Sequence, residues 1–92
     1  MSELRQSVTI VNKRGLHARA SAKFVGAVAA LESGVSVRVA KETNSAAGGS
    51  ILGLMMLGAA KGDTVEVIVE GNGADAVLGD LVALIADGFG EE

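Results

Sequence analysis

Two stretches of this chain alternate valine with polar residues: Val35-Ser36-Val37-Arg38-Val39, and Thr64-Val65-Glu66-Val67-Ile68-Val69-Glu70. In a strand, every second side chain points to the same face, so each stretch offers one valine-lined face and one polar face. Such half-buried strands belong to an antiparallel sheet, because parallel strands are covered on both faces and read as unbroken apolar runs. The valine face must be covered by another layer. Two helical stretches can supply it. Ala20, Phe24, Val28 and Leu31, with Ala27 beside them, recur at helical spacing over Ala18 to Leu31. Val77, Leu81, Leu84 and Ile85 do the same over Ala74 to Asp87.

The remaining segments complete the pattern. Val8-Thr9-Ile10-Val11 reads as a first strand with Val8 and Ile10 on one face. Lys41-Glu42-Thr43-Asn44 reads as a polar hairpin turn leading to a weak edge strand near Ser45-Ala46-Ala47. Ser50 stands where the N-cap of a short helix over Ile51 to Leu57 belongs, and Gly58 ends that helix. The expected fold is therefore α/β (α+β), an open-faced sandwich. A four-stranded antiparallel sheet carries three helices on one face in the order β-α-β-β-α-β-α. Residues 1–92 are expected to form one domain.

Composition narrows the chemistry. With two Phe, no Trp, no Tyr and thirteen Gly, the core must be built from Val, Ile, Leu and Met. No Cys is present, which removes disulfides and thiolate metal sites, and one histidine without a close carboxylate pair is a poor zinc site. No metal or cofactor is expected. The opening residues lack a basic-then-apolar signal and no apolar run reaches the length of a membrane span, so a cytoplasmic protein without a membrane role is expected. The net charge of −3 hides an asymmetry. No acid occurs between Leu4 and Leu31, while Lys13, Arg14, Arg19 and Lys23 surround His17. Such a field attracts a phosphate or an acidic protein surface. Four bases without an aromatic platform, joined to an acidic second half, argue against nucleic acid.

His17 is the only histidine, and it follows Gly15-Leu16 at or one residue before the start of the first helix. Glycine is free to make that turn. The first turn of a helix presents unpaired N–H groups and a partial positive charge, a ready site for an anion. A neutral imidazole there can attack a phosphoryl group, and Arg19 adds a planar cation suited to phosphate oxygens. Taken alone, a lone histidine at this place is more often a solvated helix cap. A second feature is the density of apolar residues from Ile51 to Leu57. If Ile51, Leu54 and Leu57 face the sheet, Leu52 and Met55 are left toward solvent, a small patch suited to transient docking.

Together, Gly15-Leu16-His17-Ala18-Arg19-Ala20-Ser21-Ala22-Lys23-Phe24-Val25, Ser50-Ile51-Leu52-Gly53-Leu54-Met55-Met56-Leu57-Gly58 and Ala60-Lys61-Gly62 resemble HPr, the histidine phosphocarrier of the bacterial phosphoenolpyruvate-dependent phosphotransferase system. The resemblance implies that His17 accepts phosphate on Nδ1 and that Arg19 helps hold it. It implies that Ser50 is a regulatory phosphosite for HPr kinase/phosphorylase, and that Ile51, Leu52 and Met55, with Lys23, dock partners. Those partners would be enzyme I as donor and IIA-type proteins as acceptors, with the carrier working as a monomer. Two departures stand out: Ala20 replaces the usual proline, and the stretch from Lys41 to Gly49 is about two residues longer than in common members. Val11-Asn12-Lys13 and the ending Gly88-Phe89-Gly90-Glu91-Glu92 resemble the nitrogen-related branch, which relays phosphate to regulatory IIA proteins rather than sugar permeases. A sugar-transport carrier and a binding-only regulator switched by phosphorylation are the alternatives. An autonomous enzyme lacks support, since no second acid or base neighbours His17 in the sequence.

Overall fold

The computed structural model describes residues 3–91. Its elements are β1 (Glu3–Thr9), α1 (Ala18–Ala29), β2 (Ser36–Lys41), β3 (Asn44–Ala47), α2 (Ile51–Met56), β4 (Thr64–Glu70) and α3 (Ala74–Ala86), followed by a 3-10 turn at Gly88–Gly90. All strand pairs are antiparallel and the sheet order is β1-β4-β2-β3. The expected element order and open-faced sandwich are both present. Of the ending Gly88-Phe89-Gly90-Glu91-Glu92, Glu92 lies outside the described residues.

The order of the strands follows from their apolar content. β4 takes a central place with Val65, Val67 and Val69 buried, and Val37 and Val39 of β2 lie opposite Val69 and Val67. This valine row packs into one core with Ala20 and Phe24 of α1, Leu54 of α2, and Leu78, Leu81 and Ile85 of α3. The other face of the sheet is polar. There Arg5 bonds Glu3 at 2.6 Å and Glu66 at 3.0 Å, and Arg38 donates to the Ser45 hydroxyl. Ile68 departs from the alternation: it is buried on this open face, where its register places it between Arg5 and Arg38. The aliphatic stems of such residues cover apolar surface while their charges stay in water. Among the described residues no helix is long and apolar enough to cross a membrane.

Several boundaries and faces differ from the sequence reading. The first strand is Glu3–Thr9, not Val8–Val11; Ile10 is buried just beyond it and Val11 is exposed. Gln6 stands between Leu4 and Val8 and interrupts the apolar alternation that would have marked the strand. In α3 the buried stripe includes Leu78, while Val77 and Leu84 are only half-buried. In α2, Leu54 and Leu57 turn inward as expected, but Ile51 is exposed and Met56 is 76% exposed. Six apolar residues among seven leave no periodicity from which to read the phase of a helix.

Candidate functional site

The segment between β1 and α1 is held by backbone bonds to the turn that precedes β4. Ile10 N–H donates to the Asp63 carbonyl at 2.8 Å, Gly62 N–H donates to the Ile10 carbonyl at 2.8 Å, and Leu16 N–H donates to the Ala59 carbonyl at 3.0 Å. Gly15 sits where the two backbones meet. Its φ is +62°, and a Cβ there would lie 2.2 Å from the Ala59 oxygen. Only glycine satisfies both the left-handed conformation and that approach.

This anchoring delivers His17 to the N-cap of α1, with φ −74° and ψ −179°. Its carbonyl accepts the first helical bond from Ser21 N–H at 2.9 Å. Its Nδ1 accepts from Arg19 N–H at 3.3 Å, a long bond in which the ring stands in for the usual hydroxyl or carboxylate cap. One imidazole nitrogen thus faces the positive end of the helix, whose first turn carries no acidic residue. Arg19, Lys13 and Arg14 are exposed around it.

The other nitrogen faces an acid that no local reading of the sequence supplies. Glu91 Oε2 lies 2.7 Å from His17 Nε2, and Glu91 Oε1 accepts from Asn12 Nδ2 at 3.1 Å. The same Asn12 amide donates to the Gly15 carbonyl at 2.8 Å. Burial tends to raise the Glu91 carboxyl. The hydrogen bonds from His17 and Asn12, with the nearby charge of Arg19, outweigh it and hold the group below its ordinary value. His17 is consequently less exposed than a solvated helix cap would be: 15% of its side chain is accessible, against 17% for Glu91.

The C-terminal segment is fixed for this contact. Gly88, Phe89 and Gly90 have φ of +68°, +58° and +74°, a left-handed turn that is unfavourable for an aromatic residue. The Phe89 ring is buried in the core, and Lys23 Nζ donates to the Phe89 carbonyl at 2.7 Å. Lys23, read from the sequence as part of a docking surface, is thus tied to this segment. The asymmetric charge pattern suggested an acid-free neighbourhood for His17, and the fold returns one acid to it.

α2 begins in the same manner as α1. Ser50 is its N-cap, and the hydroxyl accepts from Gly53 N–H at 2.9 Å. α1 and α2 pack together. Ile51, Leu52 and Met55 are exposed on α2, joined by Met56, which the sequence reading did not place there. Among the described residues no group of three or more His, Cys, Asp or Glu is placed to hold a metal ion.

A family model described as "PTS HPr component phosphorylation site" matches residues 4–87. The chain is 44% identical over 88 residues to a phosphocarrier protein HPr of Neisseria meningitidis serogroup A, covering 96% of this chain and 97% of that one. It is 38% identical over 91 residues to a phosphocarrier protein NPr of Shewanella violacea, covering 99% and 98% respectively. The crystal structure of HPr-C-His from Thermoanaerobacter tengcongensis superposes with a TM-score of 0.86 at 36% identity, covering 100% of this chain and 99% of that one.

Proposed function

The chain belongs to the HPr family of phosphocarrier proteins, and on that premise we propose that His17 accepts a phosphoryl group from phosphorylated enzyme I and passes it to a IIA-type protein. Membership of the family implies partners within the phosphotransferase system. The observation that carries the residue assignment is the direction of Nδ1, which lies 3.3 Å from Arg19 N–H at the start of α1. A phosphoryl group on Nδ1 would meet first-turn N–H groups that have no intrahelical partner, together with the Arg19 guanidinium. Stabilisation there must stay partial, since a phosphate held too firmly could not be passed on.

Docking uses the exposed apolar side chains of Ile51, Leu52 and Met55, with Lys23 at the edge. A patch of this size suits the small, short-lived interfaces of a carrier that must leave each partner, and the carrier acts as a monomer. Ser50 lies directly beside the patch. Phosphorylation there by an HPr kinase would add nearly two negative charges at neutral pH, tolerable to the helix end but not to a partner laid over Leu52 and Met55.

The acceptor is placed in the regulatory, nitrogen-related branch, supported by the Val11-Asn12-Lys13 and Gly88-Phe89-Gly90-Glu91-Glu92 segments. A sugar-transport carrier is the second reading, favoured by the higher identity to a relative named HPr than to one named NPr. Incubation with phosphoenolpyruvate and enzyme I, followed by intact-mass analysis, tests the carrier role. One acid-labile, alkali-stable phosphoryl group is expected on the native chain and none on His17→Ala. Phosphate retained in that variant overturns the assignment. Offering the phosphorylated protein to IIA proteins of both kinds separates the branches by which one is loaded faster.

A further inference from the structure

Glu91 lies 74 residues from His17 in the chain, yet its carboxylate spans the gap between two buried or half-buried donors. We propose that Glu91 is a positioning residue for phosphoryl transfer: steered by Asn12, it holds the His17 imidazole with its proton on Nε2 and its lone pair on Nδ1, facing the start of α1. The proposal rests on His17 being the phosphoryl acceptor.

The tautomer follows from donor and acceptor counting. An ionised carboxylate can only accept, so a separation of 2.7 Å requires Nε2 to carry the hydrogen. In the neutral ring the other nitrogen then holds the lone pair, which agrees with Nδ1 accepting from Arg19 N–H. The carboxyl is held below its ordinary range, so it is ionised at neutral pH.

Asn12 shows that the arrangement is enforced. Its Nδ2 serves two acceptors, the Gly15 carbonyl and Glu91 Oε1, so turning the amide over would set Oδ1 against two oxygens. In the orientation that bonds both, Oδ1 is left buried with no hydrogen-bond partner. An unpaired buried acceptor is unfavourable and rare in native proteins. The left-handed Phe89 beside Glu91 carries a second unfavourable feature. Both are tolerated at the one place where the C-terminal segment meets the histidine, and the Phe89 ring and the Lys23 bond keep the segment there.

The contact suits the chemistry in both directions. On loading, the Nδ1 lone pair forms the bond to phosphorus while the bond from phosphorus to the donor's leaving atom breaks and its electron pair stays with the donor. No proton moves. The ring becomes cationic, and its Nε2–H faces the carboxylate that stabilises that charge. On unloading, the nitrogen–phosphorus bond breaks with its pair returning to Nδ1, and the leaving group is neutral imidazole already in its starting tautomer. An imidazole stripped of the Nε2 proton would have to leave as the anion, a far poorer leaving group. Glu91 touches the ring on the side away from the phosphoryl group and so acts through His17.

The test uses the full chain labelled with ¹⁵N at histidine, observed by NMR and assayed for phosphoryl uptake from phosphorylated enzyme I. The native protein is expected to show a neutral ring protonated at Nε2, with that proton visible because the hydrogen bond slows its exchange. In Glu91→Ala the proton signal is expected to be lost to exchange with water and uptake to slow by about tenfold, the scale on which partners that orient a histidine act. The thermal midpoint should change little, since Phe89 remains buried. A native ring protonated at Nδ1, or an unchanged spectrum in the variant, overturns the proposal. An altered spectrum with an unchanged rate also overturns it and leaves a structural contact. If the native chain takes up no phosphate, the carrier role itself fails. Native uptake with an equally fast Glu91→Ala removes only the role of Glu91.

Discussion

Two helices in this molecule start on a side chain that accepts a backbone N–H, and they differ in what that side chain is free to do. Ser50 caps α2 with a bond of 2.9 Å to the third helical residue. His17 caps α1 with a bond of 3.3 Å to the second, and its other nitrogen is held by a carboxylate from the far end of the chain. The serine satisfies its helix well and serves structure by default. The histidine satisfies its helix with a longer bond, which leaves the Nδ1 lone pair open to the proposed phosphoryl group. A weak cap whose second end is tied down thus marks the proposed phosphoryl acceptor, and a strong cap beside exposed apolar residues marks the proposed switch.

Substitutions at and beside the two caps test this contrast. The largest effect belongs to His17→Ala, which should abolish phosphoryl uptake while lowering stability only slightly, as loss of a long capping bond would. Calorimetry on the variant checks the second half. A midpoint collapse would show that His17 holds the fold rather than serving the carrier. Arg19→Ala follows: its side chain is exposed, and its bond to His17 is made by the backbone N–H, which the substitution keeps. Transfer to His17 should slow by about 10²-fold with no loss of stability, the lower end of the range for removing one donor from a developing charge. Stopped-flow transfer measurements giving an unaltered rate would leave the backbone N–H groups as the sole holders of the phosphate.

Ser50→Asp should weaken enzyme I docking several-fold, near 1 kcal/mol, while leaving the thermal midpoint close to native, because a carboxylate also caps a helix. Equal transfer kinetics in native and variant proteins would remove Ser50 from the docking face. The smallest effect is that of Ser50→Ala. Its lost cap should cost about 1 kcal/mol in denaturant unfolding and leave transfer from enzyme I unchanged, the reverse of the pattern at Arg19.

The same contrast explains what could be read from the residues. Both caps were legible, because the groups a cap satisfies lie two or three residues away and the residue types announce them. The valine rows of β2 and β4 were legible for a similar reason, since alternation is local. Glu91 was not. Nothing near His17 hints at an acid from the opposite end of the chain, and Gly88-Phe89-Gly90 could only suggest a turn that carries a buried ring. The neighbourhood of His17 therefore looked wholly basic, and its ring looked more exposed than it is. The helical spacing turned Ile51 inward and left Met56 unplaced because a two-turn helix with apolar residues almost throughout has no polar face to set its rotation. Contacts within one turn are written in the residue order, whereas closure of the chain on itself is decided by packing.

The proposed bond joins phosphorus to the nitrogen facing α1 and leaves the one facing Glu91 unsubstituted. Its most direct test is the ¹⁵N–³¹P coupling of the ¹⁵N-histidine-labelled chain after phosphorylation by phosphoenolpyruvate and enzyme I, recorded in alkaline solution where the adduct survives. Coupling is expected at Nδ1 of His17 and none at Nε2. Coupling at Nε2, the nitrogen now 2.7 Å from Glu91, would contradict it.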